Sequence, residues 1–163
     1  MLLELKKVFL DEKECVRAEY DLDLHDFDFN GIKPFRAPVK VKAKVENKAG
    51  VVGISITVDF EYTAPCDRCG EETITAFGYS FEHTLVQCLS GENDGDYIET
   101  PDFQLDLDEL VTSDIILELP SKHLCKDDCR GMCPKCGQNL NKGGCGCDLR
   151  QIDPRLEALK DLL

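Results

Sequence analysis

Apolar and polar residues alternate strictly from residue 39 to residue 46. Val39, Val41, Ala43 and Val45 fall on one face, and Lys40, Lys42, Lys44 and Glu46 on the other. A period of two predicts a half-buried β-strand. The same alternation returns over residues 52–62, where Ile54, Ile56, Val58, Phe60 and Tyr62 share a face. Asn47-Lys48-Ala49-Gly50 supplies turn residues between the two segments, so together they predict a β-hairpin. Two further strands are expected over 72–79 and 81–86, with Gly78 as a bulge or bend. Residues 2–10 and 16–24 are able to pair with the same sheet. The polar, acidic stretch 90–104, with Gly91, Gly95 and Pro101, reads as a surface loop.

From Asp106 the period changes. Leu107, Leu110, Val111 and Ile115 are spaced like one face of a helix that Pro120 would halt, which predicts a helix over 106–118. Near the end of the chain Asp153 and Pro154 supply an N-cap and a first-turn proline. Leu156, Leu159 and Leu163 then stripe a short helix over 154–162. These elements predict an α+β fold, an antiparallel β-rich domain with short helices followed by a C-terminal cysteine-rich module. The expected division is a β-rich acidic domain over 1–120 and a cysteine-rich module with its terminal helix over 121–163.

Composition sharpens that division. The chain has 163 residues, no Trp and a formal net charge of -13. Residues 120–163 carry eight Lys/Arg against six Asp/Glu, whereas 1–119 carry 11 against 26. Between Arg68 and Lys122 there are thirteen acidic side chains and no basic one. Such a surface repels a phosphate backbone and attracts basic protein. The longest apolar runs are a few residues, such as Ile115-Ile116-Leu117. A membrane span needs about twenty, so a soluble cytoplasmic protein without a membrane partner is expected.

Ten cysteines are the unusual feature, and eight of them form close pairs: Cys66/Cys69, Cys125/Cys129, Cys133/Cys136 and Cys145/Cys147. Without an export signal this pattern favours zinc over disulfides. Cys15 and Cys88 are left over among strand-like residues and are expected to be small thiols on or near the core. Cys66-Asp67-Arg68-Cys69-Gly70 and Cys133-Pro134-Lys135-Cys136-Gly137 share the spacing that lets a tight turn aim two sulfurs at one ion. Each such knuckle supplies half of a tetrahedral site. Two divisions satisfy the count. Either four of the six C-terminal cysteines close one local site, or Cys66/Cys69 join Cys133/Cys136 while Cys125, Cys129, Cys145 and Cys147 form a second. His123 stands two residues before Cys125 and offers a substitute ligand. His25 and His83 read as surface or hydrogen-bonded side chains.

This much sulfur closes a zinc shell, which points to a folding role, because catalytic zinc keeps a position open for water. The chain has no Gly-rich phosphate loop, no His-Glu-x-x-His motif and no nucleophile elbow. Neither an enzyme nor a small-molecule substrate is expected. Cys66 and Cys69 as a thiol redox pair would want a helix N-terminus, and they lie between strands. Two basic patches offer RNA contacts: Arg36, Lys40, Lys42, Lys44 and Lys48 on the strand face, and Lys122, Lys126, Arg130, Lys135 and Lys142 in the cysteine module.

The run from Ile115 to Pro120, the Cys125/Cys129 pair, Arg130-Gly131-Met132-Cys133-Pro134-Lys135-Cys136-Gly137, the Cys145/Cys147 pair and Asp153-Pro154-Arg155-Leu156 resembles the bacterial DUF177 family, the large-ribosomal-RNA-subunit accumulation proteins. The likeness extends upstream to Cys66-Asp67-Arg68-Cys69 and covers about residues 35–163. It implies a non-enzymatic factor in accumulation or processing of 23S ribosomal RNA. The partners it implies are a large-subunit precursor, through rRNA, basic ribosomal protein or both. The other functions in view are a zinc-stabilised protein-interaction adaptor not tied to the ribosome and a thiol redox protein.

Overall fold

The strictly alternating segments form the centre of a five-stranded sheet. The computed structural model describes residues 1–88 and 97–147. In chain order the elements are β1 (Leu2–Glu4), α1 (Lys6–Leu10), β2 (Cys15–Leu22), β3 (Val39–Lys48), β4 (Val51–Pro65), β5 (Glu72–Val86), β6 (Tyr97–Glu99), β7 (Gln104–Asp106) and α2 (Leu107–Glu118), with 3-10 turns at Pro101–Phe103 and Leu140–Lys142. Strands β2-β3-β4-β5-β6 lie side by side in that order, and β1 pairs with β7 in a separate two-stranded sheet. The predicted hairpin is β3 and β4. Its turn closes where Asn47 Oδ1 accepts the Gly50 N–H at 3.0 Å, while Asn47 Nδ2 donates to the Val8 carbonyl at 2.9 Å and ties α1 to the turn.

Alternation decides what is buried. Val39, Val41, Ala43 and Val45 of β3 and Ile54, Ile56 and Val58 of β4 are inside, in one apolar cluster with Leu5 and Val8, with Phe35, and with Leu107, Val111 and Ile115 of α2. Asp106 lies just before α2 and caps it, its carboxylate accepting the Asp108 N–H at 3.1 Å. Among the described residues no helix is long and apolar enough to cross a membrane.

Several expectations need correction. Residues 72–86 are one continuous strand, not two, and Gly78 is no bend. It makes room, since a Cβ there would stand 3.0 Å from Asp59 Oδ1. The sheet is not wholly antiparallel, because β6 runs parallel to β5. Residues 97–104, part of the stretch expected as loop, hold β6, a 3-10 turn and the start of β7. Residues 2–10 split into β1 and α1, and only β2 joins the large sheet. Cys15 and Cys88 are exposed rather than near the core. The predicted terminal helix over 154–162 lies outside the described residues.

The chain divides into two compact units. The first takes Met1–Ala64 and Ile74–Ser121 and holds the sheets and their core. The second joins Pro65–Thr73 to the chain from Lys122 onward, so it is not contiguous in sequence.

Candidate metal centres

The second unit is built on one turn used twice. In the first knuckle, which links β4 to β5, the Gly70 N–H donates to the Cys66 carbonyl at 2.8 Å and the Cys66 N–H to the Glu71 carbonyl at 2.9 Å. In the second, Gly137 N–H donates to the Cys133 carbonyl and Cys133 N–H to the Gln138 carbonyl, both at 2.9 Å. Each turn points its two sulfurs the same way. The ligands that complete each set come from less regular backbone.

Two groups of four thiols result: Cys66, Cys69, Cys125 and Cys129, and Cys133, Cys136, Cys145 and Cys147. Within each group all sulfurs lie within 4.8 Å of one another. The structure thus brings together all eight paired cysteines, in a division neither sequence alternative specified. Cys66/Cys69 meet Cys125/Cys129, not Cys133/Cys136. Backbone bonds explain the choice: Asp67 N–H donates to the His123 carbonyl at 2.9 Å and Met132 N–H to the Arg68 carbonyl at 3.0 Å, which lays the first knuckle along residues 123–132. Arg68 adds a guanidinium bond to the Cys129 carbonyl at 3.1 Å. His123 belongs to neither group. It is buried, its ring bonds Thr73 at 2.7 Å and its N–H donates to Asp67 Oδ2 at 2.7 Å. His83 meets Asp114 at 2.8 Å, and His25 is exposed beside Asp23 and Asp26.

The sulfur spacing fits a tetrahedral ion. Zinc at about 2.3 Å from each of four thiolates sets neighbouring sulfurs roughly 3.8 Å apart. Cys66 and Cys129 are 3.8 Å apart, and Cys69 and Cys125 3.7 Å. A disulfide would need about 2.05 Å. None of the eight clustered cysteines is in a disulfide.

Electrostatics point the same way. Burial opposes ionisation of Cys66, but backbone amides of Cys125, Cys69 and Arg68 outweigh it and bring the thiol down to about 6. Amides of Cys136 and Lys135 bring Cys133 down to about 6. Burial and then the sulfurs of Cys129, Cys69 and Cys66 push Cys125 up to about 12, and the sulfurs of Cys136 and Cys145 push Cys147 up to about 12. In each group one thiol is thus held below its ordinary value and another above it. A divalent cation supplies the charge that lets all four ionise together.

The two groups differ in exposure. Cys66, Cys69 and Cys129 are buried and Cys125 is half-buried, whereas in the second group only Cys133 is buried, Cys145 and Cys147 are half-buried and Cys136 is exposed. Glycine geometry around them gives a direct test. Gly131 has φ +73 and a Cβ there would sit 3.1 Å from the Arg68 carbonyl oxygen, while Gly137 has the same φ with nothing within 4 Å. Gly137→Ala should cost only the backbone strain, about 1 kcal/mol. Gly131→Ala should cost more, because it also displaces the first knuckle. Thermal melts of the two variants check this, and equal destabilisation would contradict it.

Five of the ten basic residues proposed for RNA contact are matched by carboxylates. Lys42 pairs with Glu19 at 3.0 Å, Lys44 and Lys48 both with Glu46, Lys126 with Asp128 at 3.6 Å and Lys142 with Glu71 at 3.0 Å. Lys40 stands between Asp21 and Asp59 in the sheet register. Arg36 also has an interaction partner. Among the described residues Lys40, Lys122, Arg130 and Lys135 have no ion pair. Glu46 neutralises Lys44 and Lys48 from within β3, whereas Glu19 reaches Lys42 from the neighbouring strand, a pairing that local sequence hides.

Comparison with known proteins gives one family and several distant relatives. The family model described as large ribosomal RNA subunit accumulation protein YceD matches residues 54–163. Uncharacterized protein YlbN of Bacillus subtilis is 28% identical over 133 residues, covering 78% of this chain and 75% of that protein. Large ribosomal RNA subunit accumulation protein YCED homolog 1, chloroplastic, of Arabidopsis thaliana is 26% identical over 150 residues, covering 74% of this chain and 47% of the plant protein. A Mycobacterium leprae protein, ML1660, is 29% identical over 135 residues, covering 78% of this chain and 60% of its own length. The chain thus spans well under two thirds of the plant and mycobacterial proteins. No solved structure matches.

Proposed function

Since the chain belongs to the large ribosomal RNA subunit accumulation protein YceD family, we propose that it is a non-enzymatic cytoplasmic factor supporting accumulation or processing of 23S rRNA as the large ribosomal subunit forms. The observation that carries this is the family match itself, because residues 54–163 contain all eight clustered cysteines and both units contribute to it. Zinc is the proposed ion. Held by Cys66, Cys69, Cys125 and Cys129 and by Cys133, Cys136, Cys145 and Cys147, it supplies folding free energy and leaves no ligand position for a substrate.

Charge favours a basic ribosomal protein as the direct contact within the precursor, ahead of rRNA. Four thiolates around a divalent ion carry a formal charge of about −2. Loading both centres therefore makes a chain of net charge -13 more acidic still. The strand-face lysines already face carboxylates. A lysine- and arginine-rich polypeptide complements such a molecule better than a phosphate backbone does.

Depletion in the source organism, followed by gradient sedimentation and measurement of 23S and 16S rRNA, tests the proposal. The expected result is loss of 23S relative to 16S, with the tagged protein sedimenting beside large-subunit precursors. Unchanged 23S and a protein partner free of ribosomal material would overturn it in favour of an adaptor unconnected to the ribosome.

A further inference from the structure

Three residues separate Cys129, the last ligand of the first group, from Cys133, the first ligand of the second. The chain between and beyond them folds as a hairpin. Met132 bridges Asn139, Cys133 N–H donates to the Gln138 carbonyl, and Leu140 N–H donates to the Gly131 carbonyl at 2.9 Å. Cys133 and Cys136 sit on its tip. Its far end is Asn141, whose side chain returns to the first group: Nδ2 donates to Cys129 Sγ at 3.3 Å, while Oδ1 accepts the Arg130 N–H at 2.9 Å. The backbone N–H of Arg130 only donates, so the carboxamide oxygen must face it and the amino group must face the sulfur. The amino group also bonds Asn139 Oδ1 at 2.9 Å, and that oxygen accepts the Asn141 N–H at 2.9 Å. Asn139 in turn donates to Glu71, next to the first knuckle, at 3.3 Å.

We infer that Asn141 is a positioning residue that couples the two centres: closing the second group orders the hairpin, and the hairpin aims the Asn141 amide at Cys129, strengthening the hold of the first group on its ion. The physical basis is a charge-assisted N–H···S bond, which stabilises the thiolate without competing for the metal. Nothing in the spacing of the cysteines announces this role. The inference rests on the metal-binding part of the proposed function and not on its ribosomal part.

The test measures zinc affinity of the first centre in the full chain by competition with a chelator of known affinity. N141A should weaken it about tenfold. N141D keeps an acceptor for Arg130 N–H but turns a carboxylate toward the thiolate, so it should weaken the centre further. A merely structural role predicts the opposite order, with Asp preserving function. Removing the second centre with Cys133→Ser/Cys136→Ser should weaken the first centre by a similar factor, and adding N141A to that variant should cost nothing more. With cobalt as probe, the sulfur-to-metal charge-transfer band of the first centre should shift in N141A. Retained loading of the second centre in N141A shows that the chain is folded. Wild-type affinity in N141D, or additive losses in the combined variant, would overturn the inference. A chain that binds neither zinc nor cobalt would overturn it together with the metal centres, whatever the depletion experiment shows.

Discussion

A strong chelator is expected to strip two zinc ions from each chain and to unfold residues 65–73 and 122–147 while the five-stranded sheet survives. The reason lies in what each unit buries. The first unit has an apolar cluster running from Leu3 to Ile115 that includes Phe35, Ile54, Ile56 and Leu107. In the second, the buried cluster consists of Cys66, Cys69 and Cys129, with Leu124 and Cys125 packed against it. Its core is the set of ligand sulfurs itself. Structural zinc contributes on the order of 10 kcal/mol to small folds of this kind, far more than such a cluster gains by burial alone. Amide spectra recorded before and after chelation, with metal counted by mass spectrometry, check both halves of the expectation. The second group should empty first, since its thiols are more exposed. Unchanged spectra in the second unit, or collapse of both units together, would show that the metal does not divide the fold this way.

The other large effect should come from a pair of residues far from the C-terminal cysteines in sequence. Cys66→Ser/Cys69→Ser is expected to lower the metal content from two ions per chain to one and to leave Cys125 and Cys129 open to alkylation. Serine is too weak a ligand to replace a thiolate on zinc at neutral pH. Cys15→Ser/Cys88→Ser serves as the control and should retain two ions, because neither thiol belongs to a group. Peptide mapping after alkylation identifies which sulfurs are released. If the Cys66→Ser/Cys69→Ser variant instead exposed Cys133 and Cys136, the grouping seen in the structure would be wrong.

Much of the first unit was legible because its information is local. A residue's face on a strand depends only on its neighbours two positions away, so alternation over 39–46 and 52–62 predicted β3 and β4 closely, and a 3.6-residue spacing predicted α2. Gly78 was misread because a glycine in a strand pattern has two physical causes, a bend or a close approach. Only the neighbouring strand shows that Asp59 occupies the space. Residues 97–104 were misread for a related reason: β6 and β7 are three residues each, too short to display a period, and exist because β5 and β1 pair with them.

The sequence by itself determined that eight thiols would work in pairs, since one to three residues between cysteines bring two sulfurs within reach of one ion wherever the chain goes. Which pairs come together was decided by tertiary structure alone. Every pair offers zinc the same two thiolates, so ligand chemistry is indifferent to the choice. The backbone bonds from Asp67 and Met132 that lay the first knuckle against residues 123–132 settle it. The same division holds for charge: the lysine row and Glu46, which pairs with Lys44 and Lys48, are both written in β3, whereas the pairing of Lys42 with Glu19 is a property of the register between β2 and β3.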